Sequence, residues 1–334
     1  HREILPPPAP STVAGPVLRC LTIAAVDPAP SIAAPDPGGD RFPTLEGIRG
    51  LAALAVLAFH AGTFTGLTGP GGGTAGAWAR HLNVGVSVFF VLSAFLLYRP
   101  FVLAHLRAER PPRPGPFLAR RAVRIFPAYW VALTVTAYVL HQRFLGDRWG
   151  QLRFYGLAQT YWADTALGGL AQAWSLCTEV SFYLFLPLWA ALLARVGGSV
   201  ARRRRAHLAG CLVLWVVGIG FRAALRSGGH ALGYAWLPAN TDLFALGMWL
   251  AVVSADAAVG SGGPSGLWRT LADLPAVAWL AAGCAYASIV WSGFPFEFLE
   301  TPTAVEEVTH QVLFGVVALL VVAPGALSRR TDGA

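Results

Sequence analysis

The sequence contains no lysine and little charge of either sign. All 25 basic residues are arginines, and charged residues make up only 13% of the 334 residues, whereas hydrophobic ones make up 55%. Soluble domains usually carry about 25% charged residues, so this composition argues against a soluble globular protein. The four cysteines lie far apart without a CxxC or Cys/His cluster. They support neither a disulfide framework nor a zinc site, and no metal cofactor is expected.

Long apolar stretches take the place of charge. Eight of them, each of about 17–22 residues, are long enough to cross a hydrocarbon core of ~30 Å as an α-helix. Residues 1–40, rich in proline and alanine, predict a disordered tail. A membrane domain at residues 41–325 and a short tail at 326–334 follow. The stretches predict an all-α fold, a polytopic transmembrane helix bundle of about eight spans, at residues 45–66, 84–106, 122–141, 174–195, 208–225, 240–256, 275–292 and 309–325.

The distribution of arginine predicts the orientation of the bundle. The formal net charge of +8 would suit a nucleic-acid partner, but the arginines lie in short loops between apolar stretches. With the N-terminus in the cytoplasm, the arginine-rich loops after the second and fourth spans and the C-terminal Arg329 and Arg330 face the cytoplasm. The loop with Glu297, Glu300, Glu306 and Glu307 then faces outward. Both termini are therefore predicted to be cytoplasmic, and the predicted partner is the lipid bilayer, with no nucleic acid.

A glycine-rich segment at residues 69–76 lies between the first two predicted spans. Its sequence, Gly-Pro-Gly-Gly-Gly-Thr-Ala-Gly, has the glycine content of a phosphate-binding loop. The Lys-Ser/Thr pair that such a loop needs does not follow it, and the predicted topology places the segment outside. We therefore expect a flexible hairpin here.

Ionisable residues inside spans are costly, so each one indicates a candidate functional site. Arg49 lies near the predicted cytoplasmic start of the first span, and His60 follows eleven residues later. That spacing is about three helical turns, or ~16 Å, on nearly the same face. His60, expected near mid-membrane, has the chemistry of a general base, and Arg49 that of a phosphate ligand. The alternative is that His60 bonds a neighbouring carbonyl and Arg49 snorkels to the interface.

Further polar residues lie near the ends of the third and fourth spans. Arg121 and Arg124, at the cytoplasmic mouth of the third span, suit either an anionic carrier such as coenzyme A or lipid headgroups. Glu179 lies near the outer end of the fourth span, where it would orient His60, bind acceptor hydroxyls or pair with an arginine. Trp174, at the start of that span, suits an aromatic belt at the interface.

Two weaker candidates lie in the second and sixth spans. Ser93 would be a nucleophile only with a neighbouring base or a Gly-x-Ser-x-Gly elbow, and the sequence has neither beside it. Asp242 opens the sixth span, where a carboxylate commonly caps a helix. For Asp242 we favour the capping interpretation over a functional one.

Several segments, taken together, resemble the acyltransferase-3 family of integral membrane acyltransferases, which includes O-antigen and other surface-glycan acetylases. One segment has an arginine and a histidine separated by ten residues, another an R-x-x-R element, and another a W-S-L-x-x-E element. Glu46 stands where the family usually has aspartate, and Ala94 where it usually has glycine. The segments follow in the family's order at residues 45–60, 85–94, 121–124, 174–183 and, more weakly, 240–248.

The resemblance implies a bacterial membrane-bound O-acyltransferase. Such an enzyme would move an acyl group, expected to be acetyl, from acyl-CoA to a hydroxyl of a glycan or lipid-linked acceptor in the cytoplasmic membrane. The resemblance further implies that Arg49, Arg121 and Arg124 bind the donor's phosphates and that His60 activates the hydroxyl. Glu179 is a further catalytic candidate. The secondary candidates are Glu46, Trp174, Ser93 and Asp242.

Other classes of protein stay open from the residues alone. A transporter would use the arginine–histidine face as an ion path, although the inverted repeats typical of transporters are not apparent. A non-catalytic partner of a glycan export complex is the second alternative. The family usually has about ten spans and a late Tyr-Leu-Trp-His element, so we expect this chain to be truncated at its C-terminus.

Overall fold

The computed structural model describes residues 42–141, 145–166, 168–229, 231–260, 264–294 and 302–328. Within them the chain forms eleven α-helices and no β-strand, which confirms the all-α prediction. The predicted tail at residues 1–40 lies outside the described residues, as do Glu297, Glu300, Arg329 and Arg330. The helices are α1 (Pro43–Phe64), α2 (Gly73–Arg80), α3 (Val84–Leu106), α4 (Pro114–Thr134), α5 (Arg148–Tyr155), α6 (Trp174–Leu193), α7 (Val200–Ser227), α8 (Thr241–Val259), α9 (Leu267–Asp273), α10 (Pro275–Trp291) and α11 (Ala304–Leu327).

Seven helices of the described chain are long and apolar enough to cross a membrane: α1, α3, α4, α6, α7, α8 and α11. Helices α9 and α10 meet at a bend of 102° and make an eighth crossing only if the bent pair counts as one span. The bend lies at Leu274, because the residue before a proline disfavours the α conformation. All eight predicted stretches fall on helices, so the polytopic bundle is confirmed. The orientation with both termini in the cytoplasm stays a prediction.

Local sequence explains where several helices begin. Pro43, Pro114 and Pro275 lie at the starts of α1, α4 and α10, where the fixed φ of proline suits a helix and its missing N–H is not needed. Thr303 and Glu306 form a capping box at the start of α11. This box satisfies backbone N–H groups that have no partner within the helix.

Helix α3 is the central element of the bundle and packs against α1, α6, α7, α8 and α11. Its Phe90 ring stacks on Phe244 of α8 at a centroid distance of 4.6 Å, and Phe244 stacks on Phe182 of α6 at 4.1 Å. All three rings are almost completely buried. Between membrane helices, close van der Waals packing of this kind contributes to association in place of the exclusion of water.

Helix α1 runs antiparallel to α3 and begins beside the middle of it. The ring of Phe42, the residue before α1, lies 5.2 Å from the ring of Phe95. Further along α1, Ala52 lies so close to Gly85 that a Cβ on the glycine would come within 2.6 Å of the Ala52 oxygen. Gly85 therefore permits the close approach of the two helices, and α1 extends past the first residue of α3.

The glycine-rich segment between α1 and α3 is an ordered turn followed by a helix, not the flexible hairpin that the sequence predicts. A 3-10 turn at Pro70–Gly72 leads directly into α2. A Cβ on Gly72 would lie 1.7 Å from the backbone oxygen of Leu67. The glycine at this position therefore serves tight backbone packing.

Candidate active site

One side of α1 carries both residues that the spacing of the sequence singles out. The helix is uninterrupted from Pro43 to Phe64, so Arg49 and His60 lie on the same side and ~16 Å apart along its axis. Both residues are half-buried. The neighbouring side of the helix faces the core and carries Leu45, Ile48, Ala52 and Phe59.

The His60 ring is held by its own helix. Its Nδ1 lies 2.8 Å from the backbone oxygen of Val56. A carbonyl oxygen only accepts hydrogen bonds, so in the neutral ring Nδ1 carries the proton and Nε2 keeps the lone pair. His60 therefore bonds a neighbouring carbonyl, as one sequence interpretation expects, and this same bond makes Nε2 the basic atom.

Arg49 forms an ion pair with Glu46, one turn earlier on α1. Its Nη1 lies 2.9 Å from both carboxylate oxygens. The Glu46 side chain is 68% exposed and that of Arg49 is 22% exposed. Exposed ion pairs contribute only ~0–1 kcal/mol, so an anionic ligand can replace Glu46 as the partner of Arg49 at little cost in stability.

Five residues of α3, α4 and α6 meet near the middle of the bundle, and we call them the mid-bundle cluster: Ser93, Arg121, Arg124, Glu179 and Tyr183. The Ser93 hydroxyl donates a hydrogen bond to the Glu179 carboxylate. Tyr183 lies one turn after Glu179 on the same side of α6. Arg121 lies within electrostatic range of Glu179, and both arginines lie within range of Tyr183.

The guanidinium of Arg121 has at least one N–H donor without a hydrogen-bond partner among the described residues. Its Nε is buried and has no hydrogen-bond partner among the described residues. An unpaired buried donor costs roughly 1–3 kcal/mol, and more when it is charged. Such an atom in a folded protein calls for an explanation. A second positive charge, on the exposed Arg124, lies one turn away, so the cluster suits an anion.

The mid-bundle cluster and α1 flank one half-exposed stripe of α3, which we call the groove. Helix α3 is buried on most sides, but one stripe along it is half-exposed, with the spacing of a single helical side: Val86, Phe89, Ser93 and Leu96. On one flank of this stripe α1 packs on Gly85, and on the other flank α6 reaches Ser93 through Glu179. By helical position, Arg49 and His60 lie on the side of α1 next to its contact with Gly85.

The two ends of the groove lie at different depths in the bundle. Ala52 and Gly85 are in contact and serve as the reference level. His60 lies eight residues after Ala52 on α1, and Ser93 lies eight residues after Gly85 on α3. Because the two helices are antiparallel, these two steps lead in opposite directions. At 1.5 Å per residue the two side chains are separated by roughly 24 Å along the bundle. Glu179, which bonds Ser93, therefore does not orient His60 as one sequence interpretation expects.

The same register changes the depths of the two predicted α1 residues. Arg49, expected at the cytoplasmic rim, lies opposite Val88 near the start of α3, because α1 begins beside Phe95 and Ala52 lies against Gly85. His60, expected near mid-membrane, lies four residues before the end of α1, at Phe64. The sequence alone determines the spacing of Arg49 and His60 along α1. The contact between Ala52 and Gly85 determines which part of α3 each of them lies beside.

Trp174 and Asp242, the remaining candidates, have partners in the packing of the bundle. Trp174 packs edge-on against Phe90 of α3, with ring centroids 6.1 Å apart. Asp242 is buried, and Gln311 of α11 donates to its carboxylate at 3.0 Å. The cap position of α8 belongs to Asn240, whose own side chain makes no capping hydrogen bond. The capping interpretation of Asp242 is therefore wrong, because α11 supplies a donor that the sequence pattern does not show.

Sequence analysis misses a buried ion pair between α7 and α11. Arg222 donates to Glu307 at 2.6 Å and to Asn240 at 3.2 Å, and all three are at most 6% exposed. Together with Asp242 and Gln311 they form the α7–α8–α11 network. A signal was present, because Arg222 lies inside a predicted span, and an ionisable residue there needs a partner.

A second group that sequence analysis misses is a chain of hydrogen bonds from Tyr98 through His207 and His105 to the backbone oxygen of Val196. The successive distances are 2.6, 2.9 and 3.1 Å. Because the carbonyl only accepts, neutral His105 donates to it from Nε2, neutral His207 donates to His105, and Tyr98 donates to His207. One carbonyl thus sets the direction of every bond in a chain that ties α3 to α7.

The fold defines a class of protein, a polytopic bundle of apolar helices long enough to cross a membrane. A family model described as an acyltransferase domain matches residues 42–328. The chain belongs to this family, and the resemblance that its motifs indicate is confirmed.

Three curated relatives have matching segments. The acyltransferase MdmB of Streptomyces mycarofaciens is 30% identical over 165 residues, 47% of this chain and 41% of the relative. The putative membrane-bound transacylase BcsY of Komagataeibacter xylinus is 30% identical over 202 residues, 54% of this chain and 46% of the relative. The peptidoglycan O-acetyltransferase OatA of Listeria monocytogenes is 27% identical over 159 residues, 43% and 23% respectively. The chain thus spans less than half the length of these relatives. No solved structure matches it.

Proposed function

We propose that this protein is a membrane-bound O-acyltransferase of a bacterial cytoplasmic membrane. In this proposal it moves an acyl group, acetyl in the simplest case, from acyl-CoA to a hydroxyl of a carbohydrate or lipid-linked acceptor. Membership of the acyltransferase family supports acyl transfer. The name of the relative OatA, a peptidoglycan O-acetyltransferase, supports a carbohydrate acceptor.

The spacing of charge and base along α1 is the observation that carries this proposal. Arg49 and His60 share one side of an unbroken helix, ~16 Å apart. In an acyl-CoA, the extended pantetheine arm separates the phosphates from the thioester by a comparable length. Phosphates bound at Arg49 would therefore bring the thioester carbonyl to His60, at the α1–α2 end of the groove.

The mid-bundle cluster supplies further partners for the anionic end of the donor. A guanidinium binds phosphate oxygens through two parallel hydrogen bonds and keeps its charge at any physiological pH. Arg121 has an unpartnered Nε, and Arg124 lies one turn away. Together with Arg49 they surround the groove with positive charge on the α1 and α4 sides.

The reaction then follows from the position of the free nitrogen of His60, Nε2. Nε2 takes the proton of the acceptor hydroxyl while its oxygen attacks the thioester carbonyl, since a hydroxyl is a weak nucleophile until a base assists it. The new C–O bond forms and the C–S bond breaks. The proton held by His60 passes to the leaving thiolate, so that the ester and free coenzyme A are released and the histidine returns to neutral.

The proposal is tested in membranes that contain the protein, with labelled acetyl-CoA, by following free thiol and label on membrane glycans. We expect His60→Ala to lower turnover by about 10²–10⁴-fold, the range of general base catalysis, while acetyl-CoA binding is unchanged. Arg49→Ala is expected to weaken acetyl-CoA binding by about tenfold or more, because it removes a charge-assisted contact.

Matched controls are available on the surface. His141→Ala and Arg202→Ala each remove an exposed side chain of the same type, and both variants should retain wild-type turnover and binding. Folded wild-type protein that neither binds acetyl-CoA nor releases thiol would contradict the proposal. Solute movement in the absence of any acyl donor would favour the transporter instead.

A further inference from the structure

A group of aromatic residues that the acyl transfer derived above does not use lies around the segment between α5 and α6. Tyr161 and Trp162 of this segment are 37% and 43% exposed. Their rings stand edge-on, with centroids 6.5 Å apart, and the Trp236 ring lies 6.1 Å from that of Tyr161. We call these three residues the aromatic platform.

An ion pair adjoins the aromatic platform. The Arg153 guanidinium lies over the Trp162 ring, 4.6 Å from its centroid, and donates to the two carboxylate oxygens of Asp164 at 2.7 and 3.0 Å. The Asp164 side chain is 69% exposed, whereas that of Arg153 is 24% exposed. Because an exposed charge in hydrocarbon is costly, this edge of the platform faces an aqueous phase and not lipid chains.

Hydrogen bonds to the rest of the bundle hold the aromatic platform in place. The Tyr161 hydroxyl lies 2.6 Å from the Ser181 hydroxyl of α6. Trp236 Nε1 donates to the backbone oxygen of Thr160 at 2.8 Å. The rings are thus fixed before any ligand arrives, and a preorganised surface loses less conformational freedom when it binds.

The aromatic platform lies at the same end of the bundle as His60. Helix α6 follows the platform segment and begins at Trp174, which packs on Phe90. Phe90 lies six residues after Val84, the first residue of α3. His60 lies beyond that same end of α3. A ligand on the platform is therefore near the level at which the proposed transfer takes place.

We propose that Trp162 and Asp164 form an acceptor subsite that binds an uncharged pyranose unit of a glycan. A pyranose presents C–H groups on its faces, which pack on an aromatic ring, and hydroxyls around its edge. A carboxylate has about four acceptor positions, so Asp164 can accept from sugar hydroxyls while it bonds Arg153. Because the ion pair carries no net charge, the subsite suits a neutral sugar. This inference rests on the proposed function, because it presumes a carbohydrate acceptor.

The test measures the transfer of label from acetyl-CoA to the neutral glycan fraction extracted from the host's membranes, added back in increasing amounts. Trp162→Ala is expected to raise the apparent KM for this glycan about tenfold with kcat within about twofold of wild type, since aromatic anchors dominate binding surfaces. Asp164→Ala should raise the same KM about threefold or more, because a hydrogen bond to a charged group is lost. Trp162→Tyr, which keeps a ring, should restore most of the affinity. Trp149→Ala, at a tryptophan of α5 that is 66% exposed, is the matched control and should equal wild type.

Acetyl-CoA binding by the same variants separates the subsite from the proposed function. All four variants should bind acetyl-CoA with the wild-type Kd, which also shows that they are folded. A wild-type protein that neither binds acetyl-CoA nor releases thiol would overturn the proposed function itself. The subsite alone is overturned if wild type labels the glycan while Trp162→Ala and Asp164→Ala leave the KM unchanged. It is also overturned if Trp149→Ala and Trp162→Ala impair transfer equally, because both tryptophans would then serve as anchors at the membrane interface.

Discussion

Arg222 and Arg121 are both arginines of membrane-spanning helices with a glutamate nearby, and their surroundings differ. Arg222 is 6% exposed and uses Nε, Nη1 and Nη2 to bond the oxygen of Ala239, Glu307 and Asn240. Arg121 is half-buried, and its Nε bonds nothing in the described part of the chain. The α7–α8–α11 network is thus closed around its arginine, and the mid-bundle cluster is open.

The difference separates two uses of buried charge. A charge inside the bundle carries a desolvation penalty that is offset only when its donors are satisfied. The α7–α8–α11 network meets this condition with protein groups alone, so it suits a structural role in joining three helices. In the mid-bundle cluster the Arg121 Nε has no partner among the described residues, so under the proposed function its substitution should change donor binding more than stability.

Glu307→Ala should break the closed network with the largest effect. The variant leaves the buried Arg222 without its carboxylate, which costs about 3–5 kcal/mol of unfolding free energy for pairs of this kind. Reversible unfolding in mixed micelles measures the loss. The control Glu109→Ala removes an exposed carboxylate and should stay within about 0.5 kcal/mol of wild type. Equal stabilities for the two variants would mean that Arg222 does not depend on Glu307.

Tyr98→Phe tests a second closed group, the hydrogen-bond chain through His207 and His105. The change removes the donor to His207 and leaves a buried acceptor unpaired, so we expect a loss of about 1–3 kcal/mol. The same unfolding measurement applies. Tyr138→Phe, at a tyrosine that is 49% exposed, is the matched control and should be near neutral. If Tyr98→Phe is equally neutral, the chain does not contribute to stability.

Arg121→Met should have the opposite pattern of effects to Glu307→Ala: little change in stability and a loss of acetyl-CoA binding. Removal of an unsatisfied buried donor is expected to leave stability unchanged or to raise it by up to about 1 kcal/mol. Acetyl-CoA binding should fall by about tenfold or more, because a charge-assisted contact is lost. Unfolding and calorimetry on the same sample check both halves. A stability loss as large as that of Glu307→Ala would place Arg121 among the structural arginines.

Glu46→Gln should have the smallest effect of these variants, on both stability and acetyl-CoA binding. Glu46 is mostly exposed and pairs with Arg49, so unfolding should change by no more than about 0.5 kcal/mol. Loss of the competing carboxylate should lower the Kd for acetyl-CoA by about two- to threefold, an effect that added salt reduces. A weaker affinity in this variant would indicate that Glu46 orients Arg49 instead of competing with the donor.

Much of the fold can be read from local patterns. All eight apolar stretches fall on helices. Arg49 and His60 lie on the same side of α1, as their eleven-residue spacing predicts, because α1 is unbroken. Other features depend on contacts between distant residues. Ser93 and Glu179 are 86 residues apart, and their hydrogen bond joins α3 to α6. The donor to Asp242 comes from Gln311, 69 residues later. No local propensity encodes such partners.

The sequence by itself determined the class of protein, the helices and the side of α1 that carries Arg49 and His60. Hydropathy and helical periodicity depend on neighbouring residues, so they can be recognised in the amino-acid sequence alone. Only the tertiary structure decided how deep each residue lies and which partner it has. The close approach of Ala52 to Gly85 sets α1 against α3, and thereby places Arg49 opposite Val88 near the start of α3 and His60 beyond the first residue of α3. Depth is a property of packing, because it depends on where two helices touch and not on the composition of either one.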